Sequence, residues 1–351
     1  MASLGLPLLA LVFLAGAVAT WIAGVALSKA TDALDARLGL GEELGGLLLL
    51  AIAGSLPELA ITVSAAAQGN LGLAAGNLIG GIAIQTMVLV ICDAVVGERP
   101  LTFLVGALTP VLEGLLVMIV VSGVLMGALL KPSTSIGGVV SPASLAICAV
   151  WLVGIYVINR ARKDPRWQVE MPGSRRGRRS RREPHPEQPH PFASRSTGRV
   201  ALYFAAASVV TLVAGVALEQ SGDALAGRLG IGGVIFGATV LAAASALPEI
   251  SSGVAAVRLG DHALAIGDIF GGNAFQVCLF LLADLVAGTP VLPAAGDINA
   301  WLGALGIALT AVYGFGVIGR PSRSHARLGP DSLLALAVFG LGVAGLFVLP
   351  R

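Results

Sequence analysis

Charge is what this sequence has least of. Only 12% of its 351 residues are Asp, Glu, Lys or Arg, while 56% are hydrophobic. A soluble domain carries about 25% charged residues, so a water-soluble globular surface is excluded. Cysteine is nearly absent. Cys92, Cys148 and Cys278 all lie in apolar stretches without a CxxC spacing, which argues against a disulfide framework or a zinc site. No basic segment precedes the apolar run Leu4–Ser28. That run is also longer than a signal-peptide core of about 7–15 residues, so it reads as a first membrane helix.

What remains is long apolar runs, which take roughly 20 residues each to cross a bilayer. Ten candidate spans are expected, near 5–28, 40–68, 71–95, 101–126, 138–159, 200–219, 231–257, 262–286, 297–318 and 331–349. They must be helices, since an isolated strand in lipid leaves its backbone unpaired. The expected fold is all-α, a polytopic membrane protein of ten transmembrane helices in two five-helix halves. Residues 1–159 form the first half, 160–199 a linker, and 200–351 the second half.

The linker carries 12 of the 22 basic residues and includes the run Ser174–Arg182. Its prolines and charges read as a solvated, topology-fixing segment. Anionic lipid head groups are its expected partner; nucleic acid is not, since no nucleic-acid-binding module surrounds it. With the linker in the cytoplasm and the N-terminus outside, inside loops hold 19 basic residues and outside loops 3. That asymmetry predicts this orientation in a bacterial inner membrane.

The two halves align without a gap at an offset of 191 residues. Leu56-Pro57-Glu58 matches Leu247-Pro248-Glu249, Gly80-Gly81 matches Gly271-Gly272, Gln85 matches Gln276, and Asp93 matches Asp284. An odd number of spans per half would insert the second half inverted, the plan of many secondary transporters, with the substrate site near the midplane.

Glu58 and Glu249 fall inside spans two and seven. A charge at mid-membrane costs about 2.5–3.5 kcal/mol on insertion scales, and two acids at matched positions point to a cation. Oxygen ligands suit a hard ion such as Ca²⁺. Pro57 and Pro248 each remove one helical hydrogen bond, freeing the carbonyls of Ala53 and Ala244; Ser55 and Ser245 add hydroxyls. Asn77, Gly81 and Gln85 share one helix face, as do Asp268, Gly272 and Gln276, so the Gln amides are placed to reach the ion. Gly76 with Gly80, and Gly267 with Gly271, form GxxxG patterns for close packing. Asp93 and Asp284 sit near helix ends and read as interfacial anchors. Glu113 has no acidic counterpart, its match being Ala304; it reads either as a proton carrier facing a cavity or as structural.

At these residues the chain resembles the calcium/cation antiporter superfamily, in its sodium/calcium exchanger membrane region. The signatures are Ala51 to Glu58 with Gly76 to Gln85, and Ala242 to Glu249 with Gly267 to Gln276. The resemblance implies ten helices in two inverted repeats. It implies calcium coordination by Glu58 and Glu249, and sodium sites lined by the carbonyls of Ala51 and Ala242 and the hydroxyls of Ser55 and Ser245. Gly54, Ala246, Gly81 and Gly272 stand where hydroxyls are expected, and Gln85 and Gln276 where sodium-coupled members carry Asn or Asp. Na⁺ and H⁺ therefore both stand as the coupling ion.

The expected function is antiport of Ca²⁺, or a similar divalent cation, for Na⁺ or H⁺, with no cofactor. The alternative is a non-exchanging cation channel or a degenerate transporter with a structural or sensing role. An intramembrane aspartyl protease is disfavoured, because Ala265-Ile266-Gly267-Asp268 lacks the first glycine of a GxGD motif.

Overall fold

The computed structural model describes residues 4–38, 51–163, 192, 195–294, 296–346 and 348. These residues are helical, joined by short connections with two isolated β-bridges, Ile136 to Val140 and His325 to Leu328. Among the described residues, seven helices are long and apolar enough to cross a bilayer, or eight if one bent pair is counted as a single span. The chain is a multi-pass membrane protein.

In the first half the helices are α1 (Leu6–Leu38), α2 (Leu56–Ala67), α3 (Leu71–Val96), α4 (Thr109–Ala128) and α5 (Pro142–Lys163). In the second half they are α6 (Thr197–Leu229), α7 (Gly233–Ser245), α8 (Leu247–Arg258), α9 (His262–Gln276), α10 (Leu279–Ala287), α11 (Gly296–Gly319) and α12 (Pro330–Leu346). The boundaries of α1, α2 and α3 recur 191 residues later in α6, in α8, and in α9 with α10. Local chemistry recurs with them. Asn70 and Asp261 each precede a helix and accept a bond from the backbone of Leu73 and Leu264, at 3.4 and 3.0 Å. Gly69 and Gly260 make the turns before them at φ +73° and +81°, a region open to glycine at little steric cost.

α3 is the centre. Two thirds of its apolar window is buried, against just over a quarter for α5 and α6. It packs against α2, α7, α8, α9 and α11. Gly76 and Gly80 make this possible, because a Cβ on either would collide with Val234 or Ala238 of α7. The outer helices present Leu11, Ile22, Val153, Val213 and Leu341 to the surface, as a lipid-facing exterior requires.

Three spans differ from expectation. α1 and α6 run 33 residues each, well past the expected ends at 28 and 219. At 1.5 Å per residue each is about 50 Å long, more than the roughly 30 Å hydrocarbon core. The two helices pack along each other, so their polar last turns stay helical beyond the apolar stretch. The expected span 101–126 is instead a short turn, Leu101–Leu104, followed by α4. Val105 is extended there, and Pro110 opens α4 in its first turn, where proline's fixed φ suits a helix start. α2 and α12 are shorter apolar helices at the places of the second and tenth expected spans. Residues 39–50 and most of the basic linker, including Ser174–Arg182, lie outside the described residues.

Candidate cation site

Both Pro-Glu motifs sit at a break in a helix. Residues 51–54 are helical, Ser55 is a turn, and α2 starts at Leu56. In the second half α7 ends at Ser245, Ala246 takes φ −82° and ψ 3°, and α8 starts at Leu247 with a bend of 45°. Pro57 and Pro248 occupy the first turn of the new helix, the position that tolerates a missing N–H. A π-turn over Gly237–Leu241 precedes the second break, and such turns gather at functional sites. Each glutamate thus stands in the first turn of its helix, where exposed N–H groups favour negative charge.

Glu58 is 1% exposed. Gln85 of α3 donates from Nε2 to Glu58 Oε1 at 3.1 Å, and Ser245, from the other half, lies against the same carboxylate. Glu249 is within electrostatic reach of Glu58 and of Asp268. Asp268 accepts from Ser252 at 2.8 Å, and that hydroxyl also contacts the Glu249 carbonyl at 3.2 Å. Glu58 Oε2 and Glu249 Oε2 are both buried without a hydrogen-bond partner. A buried anionic oxygen in lipid calls for a proton or a cation, and both acids of the pair leave one such oxygen.

The neutral donors fall less evenly. Gln85 serves Glu58 through its nitrogen, so it acts as a donor to the carboxylate. Gln276 donates to the carbonyls of Asn77 and Leu78 on α3, at 3.3 and 2.7 Å, and its Oε1 is buried and unpartnered. Gly81 leaves room for it, since a Cβ there would strike Gln276 Nε2. The Asn77 side chain is fully buried with neither polar atom bonded. The Ala51 carbonyl accepts from the Ser55 backbone at 3.2 Å. The Ala242 carbonyl accepts from the Ala246 backbone at 3.1 Å and from the Ser245 hydroxyl at 3.1 Å. Among the described residues, no group of three or more His, Cys, Asp or Glu side chains is gathered to hold a metal ion. Two acids stand at the centre, Asp268 lies beside Glu249, and the surrounding polar groups are amides, hydroxyls and carbonyls.

Asn273 and Ser252 were not singled out from the sequence. Asn273, fully buried on α9, donates to Thr86 at 3.2 Å and to the Ile82 carbonyl at 3.5 Å, and its Oδ1 has no partner. Its presence within the second Gly-Gly motif was the available signal; its counterpart in the first half is Ile82, so the repeat alone does not mark it. Asp93 and Asp284, expected as interfacial anchors, are instead buried at 1% and 0% exposure and bond backbone N–H groups. Asp93 accepts from the backbone of Leu101 and Gly329, both at 2.6 Å. Asp284 accepts from Val291 at 2.7 Å and Ser141 at 2.9 Å.

Residues 8–159 and 199–348 match the sodium/calcium exchanger protein family. The chain belongs to this family. It is 26% identical over 275 residues to the inner membrane protein YrbG of Escherichia coli (strain K12), covering 77% of this chain and 75% of the relative. Its fold resembles the H+/Ca2+ exchanger CAX with a TM-score of 0.69 at 15% identity, over 98% of this chain and 82% of that one. It resembles the sodium-calcium exchanger NCX_Mj with a TM-score of 0.58 at 15% identity, over 96% and 98% of the two chains. At such identities the structural likeness concerns the fold.

Proposed function

We propose that the protein is a secondary antiporter that exchanges Ca²⁺, or a similar divalent cation, for Na⁺ or H⁺. The reading includes ten membrane crossings in two inverted repeats, with the linker on the cytoplasmic side. The observation that carries it is the pairing of Glu58 and Glu249, one from each half, each in the first turn after a helix break. Each keeps one buried carboxylate oxygen without a partner. Two carboxylates balance one divalent charge, and oxygen donors are what a hard cation takes.

Exchange follows if the two acids are never left bare. In the occupied state the divalent ion draws on Glu58, Glu249, the Gln276 amide oxygen, the Ser55 and Ser245 hydroxyls, and the carbonyls of Ala51 and Ala242. Asn77 and Asp268 flank this set from α3 and α9. When the ion leaves, the counter-ion takes its place before the site reorients. A bare pair of anions in lipid is too costly to reorient, and that cost couples the two fluxes. The shortage of hydroxyls around the acids favours a proton, which needs no cage of oxygens. Na⁺ is supported by the Ala51 carbonyl, which has a second lone pair beyond its helical bond, and by the Ala242 carbonyl once the Ser245 hydroxyl that occupies it turns away.

Calcium uptake into inverted vesicles, with sodium and pH gradients imposed separately, tests the proposal. Glu58→Gln and Glu249→Gln are expected to abolish uptake while the protein still folds. Uptake that persists in both variants would overturn the reading, and calcium conductance without exchange would favour the channel alternative.

A further inference from the structure

Glu113 takes no part in the central pair, yet it is 5% exposed in a membrane helix. Its Oε1 receives Arg162 at 2.5 Å. Arg162 belongs to the last turn of α5, where the basic linker begins, and its side chain is 41% exposed. Arginine often binds a carboxylate through both oxygens with its planar fork. Here Glu113 Oε2 is buried and left without a partner. That oxygen points at the backbone of α9, and a Cβ built on Gly267 would stand 2.7 Å from it. Only glycine lets the carboxylate come so close, one residue before Asp268. Glu113 is within electrostatic reach of Asp268, and Asp268 within reach of Glu249. Electrostatic influence thus passes in steps from the Glu58–Glu249 pair through Asp268 to Glu113. The steps end at a half-exposed guanidinium. The other half has no such series, because Ala304 and Asn77 stand at the matching positions.

We propose that Glu113 is a second cation-binding carboxylate on one side of the central pair, with Arg162 seated on it as a tethered counter-ion that an incoming metal cation displaces. Resting on the antiporter reading, it assigns one face of the protein an outer site that loads the inner one. The guanidinium is 41% exposed and can turn out to water, whereas Glu113 is buried and must not be left bare, so the arginine leaves as a divalent ion arrives, and its tether returns it when the ion moves inward. The ligand is a hard cation, Ca²⁺ being the probe.

The test uses the full-length protein purified in detergent, with Glu58→Gln and Glu249→Gln both present to silence the central pair, and equilibrium binding of radioactive calcium as readout. Adding Arg162→Gln is expected to tighten binding about ten-fold, as removal of a competing charge at close range does. Adding Glu113→Gln to that variant is expected to remove the gain. Arg162→Lys keeps the charge and is expected to stay at the starting affinity. Binding indifferent to Arg162→Gln overturns the proposal, and so does an equal gain in Arg162→Lys. If Glu113→Gln does not fold, the contrast between the two Arg162 variants decides alone. Gradient-driven uptake by the unaltered protein is measured in parallel. Its absence alongside an Arg162-dependent site sinks the antiporter reading only, and its presence without such a site sinks the outer site only.

Discussion

Gly24 of α1 lies against the ring of Pro248, so closely that a Cβ at Gly24 would collide with it. The relationship recurs with the halves exchanged. Gly215 of α6 lies against α2, where a Cβ would stand 2.6 Å from the Ala60 Cβ and 3.2 Å from the Pro57 carbonyl. Each long helix therefore leans on the Pro-Glu helix of the other half, and the position of each glutamate depends on both halves.

That packing predicts opposite outcomes for two Gly→Ala changes. Gly24→Ala forces a methyl into the Pro248 ring, and overpacking of this kind costs about 1–3 kcal/mol. Gly227, in the last turn of α6, has nothing within 4 Å of where a Cβ would go. Gly227→Ala is expected to be neutral or to stabilise by about 0.5–1 kcal/mol through helix propensity. Thermal unfolding in detergent separates them. The packing account fails if Gly24→Ala melts no lower than Gly227→Ala. Calcium uptake is expected to fall in Gly24→Ala alone, because only that change displaces a Pro-Glu helix.

Gln85 offers a test of positioning. Its amide nitrogen holds one oxygen of Glu58, which leaves the other oxygen for a cation. Gln85→Ala removes that restraint without adding charge. A hydrogen bond to a charged group is worth about 1.5–3 kcal/mol, so the apparent calcium affinity is expected to weaken by about ten-fold or more. Uptake assays over a range of calcium concentrations would show this as a raised apparent KM with the maximal rate largely kept. A lowered rate at unchanged KM would mean that Gln85 has a different role.

Much of this arrangement was legible in the sequence because it is written twice. Pro57 and Pro248 mark the helix breaks, the two glutamates follow them, and the offset that aligns them also aligns the boundaries of α2 and α8. What repetition does not record was missed. Arg162 reaches Glu113 across 49 residues, and the position matching Glu113 in the other half holds Ala304. Glu219, on α6, accepts from Ser64 at 2.6 Å and Gln68 at 2.7 Å, while its counterpart is Ser28. The ends of α1 and α6 were misplaced for another reason. Hydropathy marks where lipid contact stops, whereas a helix ends where its backbone bonds do, and these two continue on each other's surface.

Asp93 and Asp284 carry the last prediction, one about assembly and not transport. Each is buried, at 1% and 0% exposure, and each uses both carboxylate oxygens on backbone N–H groups. One of those groups lies just beyond its own helix, at Leu101 or Val291. The other opens a distant helix, through Gly329 before α12 or Ser141 before α5. Replacing either Asp by Ala strands two buried donors, each costing about 1–3 kcal/mol. Asp93→Ala and Asp284→Ala are therefore expected to lower the yield of folded protein and its melting temperature, while any protein that folds keeps its apparent calcium KM. Asn is expected to rescue only in part, since its carbonyl oxygen accepts one bond and its NH₂ meets the second donor unfavourably. A variant with normal melting but altered KM would place these aspartates in the ion's path, against the view that they are staples holding each half's last helix to the loop that follows the other half's third span.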